Sequence, residues 1–145
     1  MSDVLRLSQI RMPGTATTKD DAIRETGQIL VDAGAVDPAY IDSMFDRERS
    51  VSTYMGNYLA IPHGTNESKE SIKRSALSVI RYPEPIDWDG NQVLFALGIA
   101  GYQGGHMDIL SRIAIVFSDT DEVDKLVAAK SAQEIYDLLN AVNEE

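Results

Sequence analysis

Residues 76–100 read ALSVIRYPEPIDWDGNQVLFALGIA, and two runs inside them decide the fold class. Ala76–Tyr82 (ALSVIRY) and Val93–Ala100 (VLFALGIA) are short apolar runs bounded by turn formers, the pattern of well-buried strands. The link between them carries Trp88-Asp89-Gly90 and reads as hairpin-like.

Upstream, Thr18 stands three residues before Asp21 as a helix cap, and Ile23, Gly27, Leu30 and Val31 recur on one face until Gly34. Asp37-Pro38 is an N-cap followed by a first-turn proline, with Ile41, Met44 and Phe45 as the expected buried stripe. Arg47 and Arg49 lie near the end of this helix, where cations suit the dipole. Ser52–Ile61 has extended character interrupted at Gly56, and Pro62 pushes Ile61 toward β geometry. His63 is therefore expected at a strand end, with a short helix over Asn66–Arg74 after it. Downstream of Gly104-Gly105, Met107, Leu110, Ile113, Ala114 and Phe117 have helical spacing. Asp119 or Thr120 starts another helix through Val123, Leu126 and Val127, and Ser131 with Glu134 forms a capping box for a last one. Strands interleaved with helices give a single α/β domain over 1–145, a central mixed sheet flanked by helices on both faces.

Composition narrows the function. The chain has 145 residues, 43% of them apolar, enough for one core. Cysteine is absent, which excludes disulfides, zinc-thiolate sites and cysteine nucleophiles. A net charge of −10 repels nucleic acid and anionic lipid and favours partners with a basic docking face. There is no run of roughly 18 apolar residues for a membrane span, and the first 20 residues lack signal-peptide features. A cytoplasmic protein without direct membrane insertion is expected.

The two histidines both sit beside glycine at element boundaries: Ile61-Pro62-His63-Gly64-Thr65 and Gly104-Gly105-His106-Met107-Asp108. A histidine that accepts a phosphoryl group needs one ring nitrogen unprotonated and the other held by an acceptor that fixes the tautomer. A strand-end loop supplies both. Phosphoryl transfer is helped mainly by positioning and charge stabilisation, for which Arg47, His106, Thr65 and the backbone N–H groups beyond Gly64 are candidates. Each also has a plain structural role: Arg47 at a helix end, Thr65 as a cap, His106 in a local hydrogen bond. Two histidines with Asp108 would suit a metal, but no His-x-x-x-His or Glu-x-x-His spacing supports one, and no metal or cofactor is expected.

Several motifs together carry a resemblance: Asp46-Arg47-Glu48-Arg49, Ser52-Thr53-Tyr54-Met55-Gly56, Leu59 through Thr65, Arg81-Tyr82-Pro83-Glu84, Leu97–Ala100, and His106 leading into Ile109 and Leu110. In order and spacing they resemble the mannitol/fructose-type enzyme IIA proteins of the sugar phosphotransferase system, from about Leu5 onward. That resemblance implies a phosphotransferase whose His63 accepts a phosphoryl group from the phosphocarrier HPr and passes it to an enzyme IIB of a sugar permease. It implies phosphoryl stabilisation by His106 and Arg47 and binding roles at Gly64 and Thr65; with no cysteine and no membrane span in the sequence, IIB and IIC components are expected on separate chains. Asn57 stands where the mannitol branch commonly has an acidic residue, and its amide would offer a hydrogen bond there. The alternative within the same fold is a regulatory module whose His63 phosphorylation signals nutrient state.

Overall fold

The computed structural model describes residues 4–65, 70–102 and 105–143, with backbone alone at 106 and 141. It forms one α/β unit around a five-stranded mixed sheet with the order β1-β4-β5-β3-β2. The strands are β1 (Ile10–Arg11), β2 (Tyr54–Gly56), β3 (Leu59–Ala60), β4 (Ala76–Trp88) and β5 (Asn91–Ala100). β4 and β5 are antiparallel, while β1 joins β4 and β3 joins β5 in parallel.

The β4–β5 hairpin is longer than the two apolar runs by which it is recognised. β4 continues through Pro83 and Pro85, which lack ladder N–H groups, because the pairing is irregular between Arg81 and Ile86 and these prolines are exposed. It turns at Asp89 and Gly90, both with left-handed φ (55° and 94°), and Asp87 accepts the Gly90 N–H at 2.9 Å. That two-residue turn matches the twist of the strands.

Alternation along the pair divides the core in two. Leu77, Val79, Phe95, Leu97 and Ile99 face one cluster, which also holds Ile109 and Ile113 of α3 (His106–Phe117), Leu126 of α4 (Thr120–Ala128) and Ile135 of α5 (Ala132–Leu139). Ala76, Ile80, Tyr82, Val93, Ala96 and Ala100 face the other, with Ile23 and Leu30 of α1 (Lys19–Asp32) and Met44 of α2 (Ala39–Ser50). Helices thus cover both faces, as the sequence implies. α1 approaches the sheet closely because position 98 is glycine: a Cβ there would lie 2.5 Å from Ser78 Oγ and 3.0 Å from Thr26 Cβ.

Three of the expected caps are present, whereas Asp37 does not cap α2: Pro38 occupies its N-cap position without a side-chain cap, and the helix begins at Ala39. Thr18 accepts the Asp21 N–H, Asp119 those of Asp121 and Glu122, and Ser131 that of Glu134. Elsewhere the structure adds to or differs from the sequence reading. Ser52–Ile61 is a hairpin, β2–β3, turned by Asn57 and Tyr58 with φ of 50° and 68°. β1 has no apolar run to announce it. The α2 stripe is Tyr40, Ser43, Met44 and Glu48, with Ile41 and Phe45 only half-buried, because hydrogen bonds satisfy polar side chains that hydropathy places outside. The helical spacing from Met107 to Phe117 is that of α3, whose buried face carries Ile109, Ile113 and Phe117 while Met107 is exposed. Part of the expected helix over 66–74 lies outside the described residues; within 70–74 there is no α-helix, and Ile72 bridges Val36.

Candidate functional site

β3 ends at Ala60, but its line continues beside β5. The Ile99 N–H donates to Pro62 O at 3.0 Å, and His63 pairs with Ile99 in a parallel bridge. His63 is thus held at the sheet by the next strand. Its ring Nδ1 lies 2.8 Å from the carbonyl oxygen of Ile61. A carbonyl only accepts, so Nδ1 carries the proton, and in the neutral ring the lone pair is on Nε2. This is the tautomer-fixing acceptor that a phosphoryl-accepting histidine requires.

His63 lines an open cavity of about 310 Å³, together with Arg47, Thr53, Met55, Leu110 and Ser111. The α2 end, the β2 hairpin and α3 therefore meet at the histidine. Arg47 comes to it because it lies in the last turn of α2, where Nη1 donates to Val51 O at 2.8 Å. That bond ties the guanidinium to the carbonyl at which the helix ends. The remaining N–H groups of this planar fork suit a bidentate anion contact.

The Gly64 N–H donates to Tyr40 Oη at 2.8 Å and the Thr65 N–H to Ser43 Oγ at 2.9 Å. Thr65 Oγ1 lies 3.1 Å from the same Ser43 Oγ. These two backbone donors, attractive as phosphate ligands from sequence, are engaged by α2; those of 66–69 lie outside the described residues. Gly64 and Thr65 shape the loop that carries the imidazole. Tyr40 is buried and its hydroxyl donates to Ile99 O at 2.7 Å. Burial pushes this phenol up to about 12 against the lowering effect of the Gly64 N–H, so it stays protonated and makes both bonds at neutral pH.

Asn57 is placed elsewhere. Its Nδ2 donates to Phe117 O at 2.7 Å, satisfying a carbonyl at the end of α3, and its side chain does not line the His63 cavity. His106 is the first residue of α3, one turn before the cavity-lining Leu110; its side chain lies outside the described part of the structure.

Glu48 is the site residue that sequence reasoning missed. Its buried carboxylate accepts the Thr53 N–H at 2.9 Å, the Thr53 hydroxyl at 2.5 Å and Trp88 Nε1–H at 3.2 Å, with Lys19 Nζ 3.4 Å away. Thr53 O in turn takes the Ile61 N–H at 3.0 Å, and Ile61 O holds the His63 ring. Glu48 shares a helix face with Tyr40 and Met44, but nothing in its local sequence separates it from a solvated glutamate.

Residues 3–142 match the model of the phosphoenolpyruvate-dependent sugar phosphotransferase system EIIA 2 family. The chain belongs to that family. The mannitol-specific phosphotransferase enzyme IIA component of Halalkalibacterium halodurans is 48% identical over 141 residues, 97% of each chain. The crystal structure of IIA mannitol from Escherichia coli superposes with a TM-score of 0.86 at 30% identity, covering 93% of this chain and 98% of that one. The NMR complex of enzyme IIAMTL with phosphorylated enzyme IIBMTL from Escherichia coli matches equally well, with a TM-score of 0.86 and 30% identity over 93% and 96% of the chains. This EIIA 2 member is thus a phosphotransferase component of the sugar phosphotransferase system. Among its described residues no helix is long and apolar enough to cross a membrane.

Proposed function

We propose that this chain relays a phosphoryl group through His63, accepting it from phosphorylated HPr and handing it to an enzyme IIB for uptake of mannitol or a related carbohydrate. The observation that carries this reading is the pairing of an Nδ1-locked imidazole with a guanidinium on one open cavity. In the first step the Nε2 lone pair of His63 attacks phosphorus in line. The new N–P bond forms as the donor's P–N bond breaks, and that electron pair returns to the donor imidazole. The Nδ1 proton of His63 stays where it is, and the Ile61 carbonyl balances part of the positive charge on the phosphorylated ring. The second step repeats the displacement with the IIB nucleophile attacking and Nε2 leaving. Arg47 offsets the charge of the transferring group, and His106, at the start of α3, supplies a further donor to its oxygens.

The transport reading draws support from the 48% identity to a mannitol-specific component, and the IIB partner from the Escherichia coli complex with phosphorylated IIB. The test is incubation with enzyme I, HPr and phosphoenolpyruvate, followed by acid-labile phosphate analysis and transfer to purified IIB. His63→Ala is expected to abolish incorporation. Labelling that persists in this variant, or wild-type label found at another residue, would overturn the assignment.

A further inference from the structure

We propose that Tyr40 is a positioning residue for phosphoryl transfer, its hydroxyl clamping the backbone on the C-terminal side of His63 to β5. This rests on the reading of His63 as the phosphoryl acceptor. In a parallel pair, a residue on one strand exchanges bonds with the residues before and after its partner on the other. Around His63 the first of these is direct: the Ile99 N–H bonds Pro62 O at 3.0 Å. At the second, the Tyr40 hydroxyl bonds both groups that the ladder would join, donating to Ile99 O at 2.7 Å and accepting the Gly64 N–H at 2.8 Å. One β5 residue therefore grips the chain before His63 directly and the chain after it through a phenol.

The consequence is geometric. The Thr65 N–H is taken by Ser43 of α2 and not by β5, so without the phenol the Gly64 N–H would have to reach Ile99 O directly or seek water. The phenol reaches from α2, a layer away, and takes that N–H without drawing Gly64 fully into the ladder. This fixes where the His63 backbone leaves the sheet and, with the Nδ1–Ile61 bond, the direction of Nε2 into the cavity. Ser43, one turn further along α2, holds the Thr65 N–H in the same manner. Tyr40 touches neither the reacting nitrogen nor the phosphoryl path in this arrangement, and it does not line the cavity. An error of about an ångström in the attacking atom costs on the order of a hundredfold in rate, so a backbone clamp is worth its place.

The experiment compares Tyr40→Phe with Tyr82→Phe, which deletes an equally buried hydroxyl bonded to Glu25 and outside the cavity. Both are followed by steady-state transfer from phospho-HPr and by thermal unfolding. Tyr40→Phe is expected to lower kcat about tenfold or more with KM for phospho-HPr little changed. Tyr82→Phe is expected to lose stability without that kcat loss. Equal kcat values for the two variants, or a Tyr40→Phe effect confined to KM, would overturn the inference while leaving His63 labelling in the wild type intact. Absence of wild-type label at His63 would instead remove the function on which it rests. Should Tyr40→Phe not fold, hydrogen exchange in the wild type decides: the Gly64 amide is expected to be protected like those of β5, and exchange at the rate of an open loop would overturn the clamp.

Discussion

At the scale of single residues, the site depends on groups that make no contact with a phosphoryl donor. Glu48 is the clearest. Its two oxygens receive two bonds from Thr53 and one from Trp88 in a buried setting, and Thr53 leads through Ile61 to the imidazole of His63. Glu48→Gln preserves shape but replaces one acceptor by an NH2 that faces donors. It is expected to destabilise the fold by about 1–3 kcal/mol, the cost of leaving a buried donor unsatisfied. Urea denaturation at neutral pH checks this, and an unchanged midpoint would show that the carboxylate is not structurally required. This residue also marks the limit of what the sequence discloses. His63 and Arg47, which the structure brings to one cavity, stood out as candidates because several motifs around them together resemble one family, where Pro-His-Gly or a basic helix end alone says little. Glu48, Ser43 and Tyr40 did not, since nothing local distinguishes a buried polar side chain with a distant partner from a solvated one. Asn57 shows the converse: a position marked out by sequence comparison carries an amide that closes the end of α3, a contact 60 residues away in sequence.

At the scale of elements, strands read best where apolar residues ran together. β4 and β5 were visible for that reason, whereas β1 and β3 are two residues long and acquire their status from partners far along the chain, and three-residue β2 pairs only with β3 across a tight turn. What fastens the N-terminal segment to the rest is a second buried carboxylate, Glu25 of α1. It accepts the Thr15 N–H and hydroxyl, the Ala16 N–H, the Arg11 guanidinium and the Tyr82 hydroxyl, joining β1, the following loop, α1 and β4. Burial alone would raise its pKa; the Thr15, Tyr82 and Arg11 hydrogen bonds outweigh burial and leave it below the ordinary glutamate value near 4.5. Because the folded-state pKa is depressed, the stabilisation is fully present above the unfolded value and is lost as pH falls through the folded one. Wild-type stability should therefore decline as pH drops below about 4.5. Glu25→Gln is expected to be less stable at pH 7 and to show a shallower acid slope in urea titrations. Parallel slopes for the two proteins would assign the acid sensitivity to other carboxylates.

At the scale of the whole molecule, the cavity lies where the two helical layers approach one edge region of the sheet: Arg47 comes from the α1/α2 layer and Leu110 and Ser111 from the α3 layer, with His63 between them. On the proposed relay this junction meets two partners in turn, and the chain's own charge bears on both encounters. The chain carries −10 at neutral pH, and a phosphoryl group on His63, its two charges partly offset by the positive ring, adds about one further negative charge. Long-range attraction to a basic docking face thus strengthens once the group has arrived, which favours collision with the next acceptor. Such steering acts over roughly the Debye length, about 10 Å at 0.1 M salt and about 3 Å at 1 M. It changes association more than the chemistry inside the cavity, where on the proposed mechanism Arg47 and the locked tautomer of His63 act at contact distance. Raising ionic strength from about 0.05 M to about 0.5 M is therefore expected to increase KM for both transfer partners about fivefold or more while kcat stays nearly constant. Stopped-flow or steady-state transfer over a salt series provides the measurement. A kcat that falls with salt while KM holds would mean that the net charge acts on the bound transition state and not on the approach.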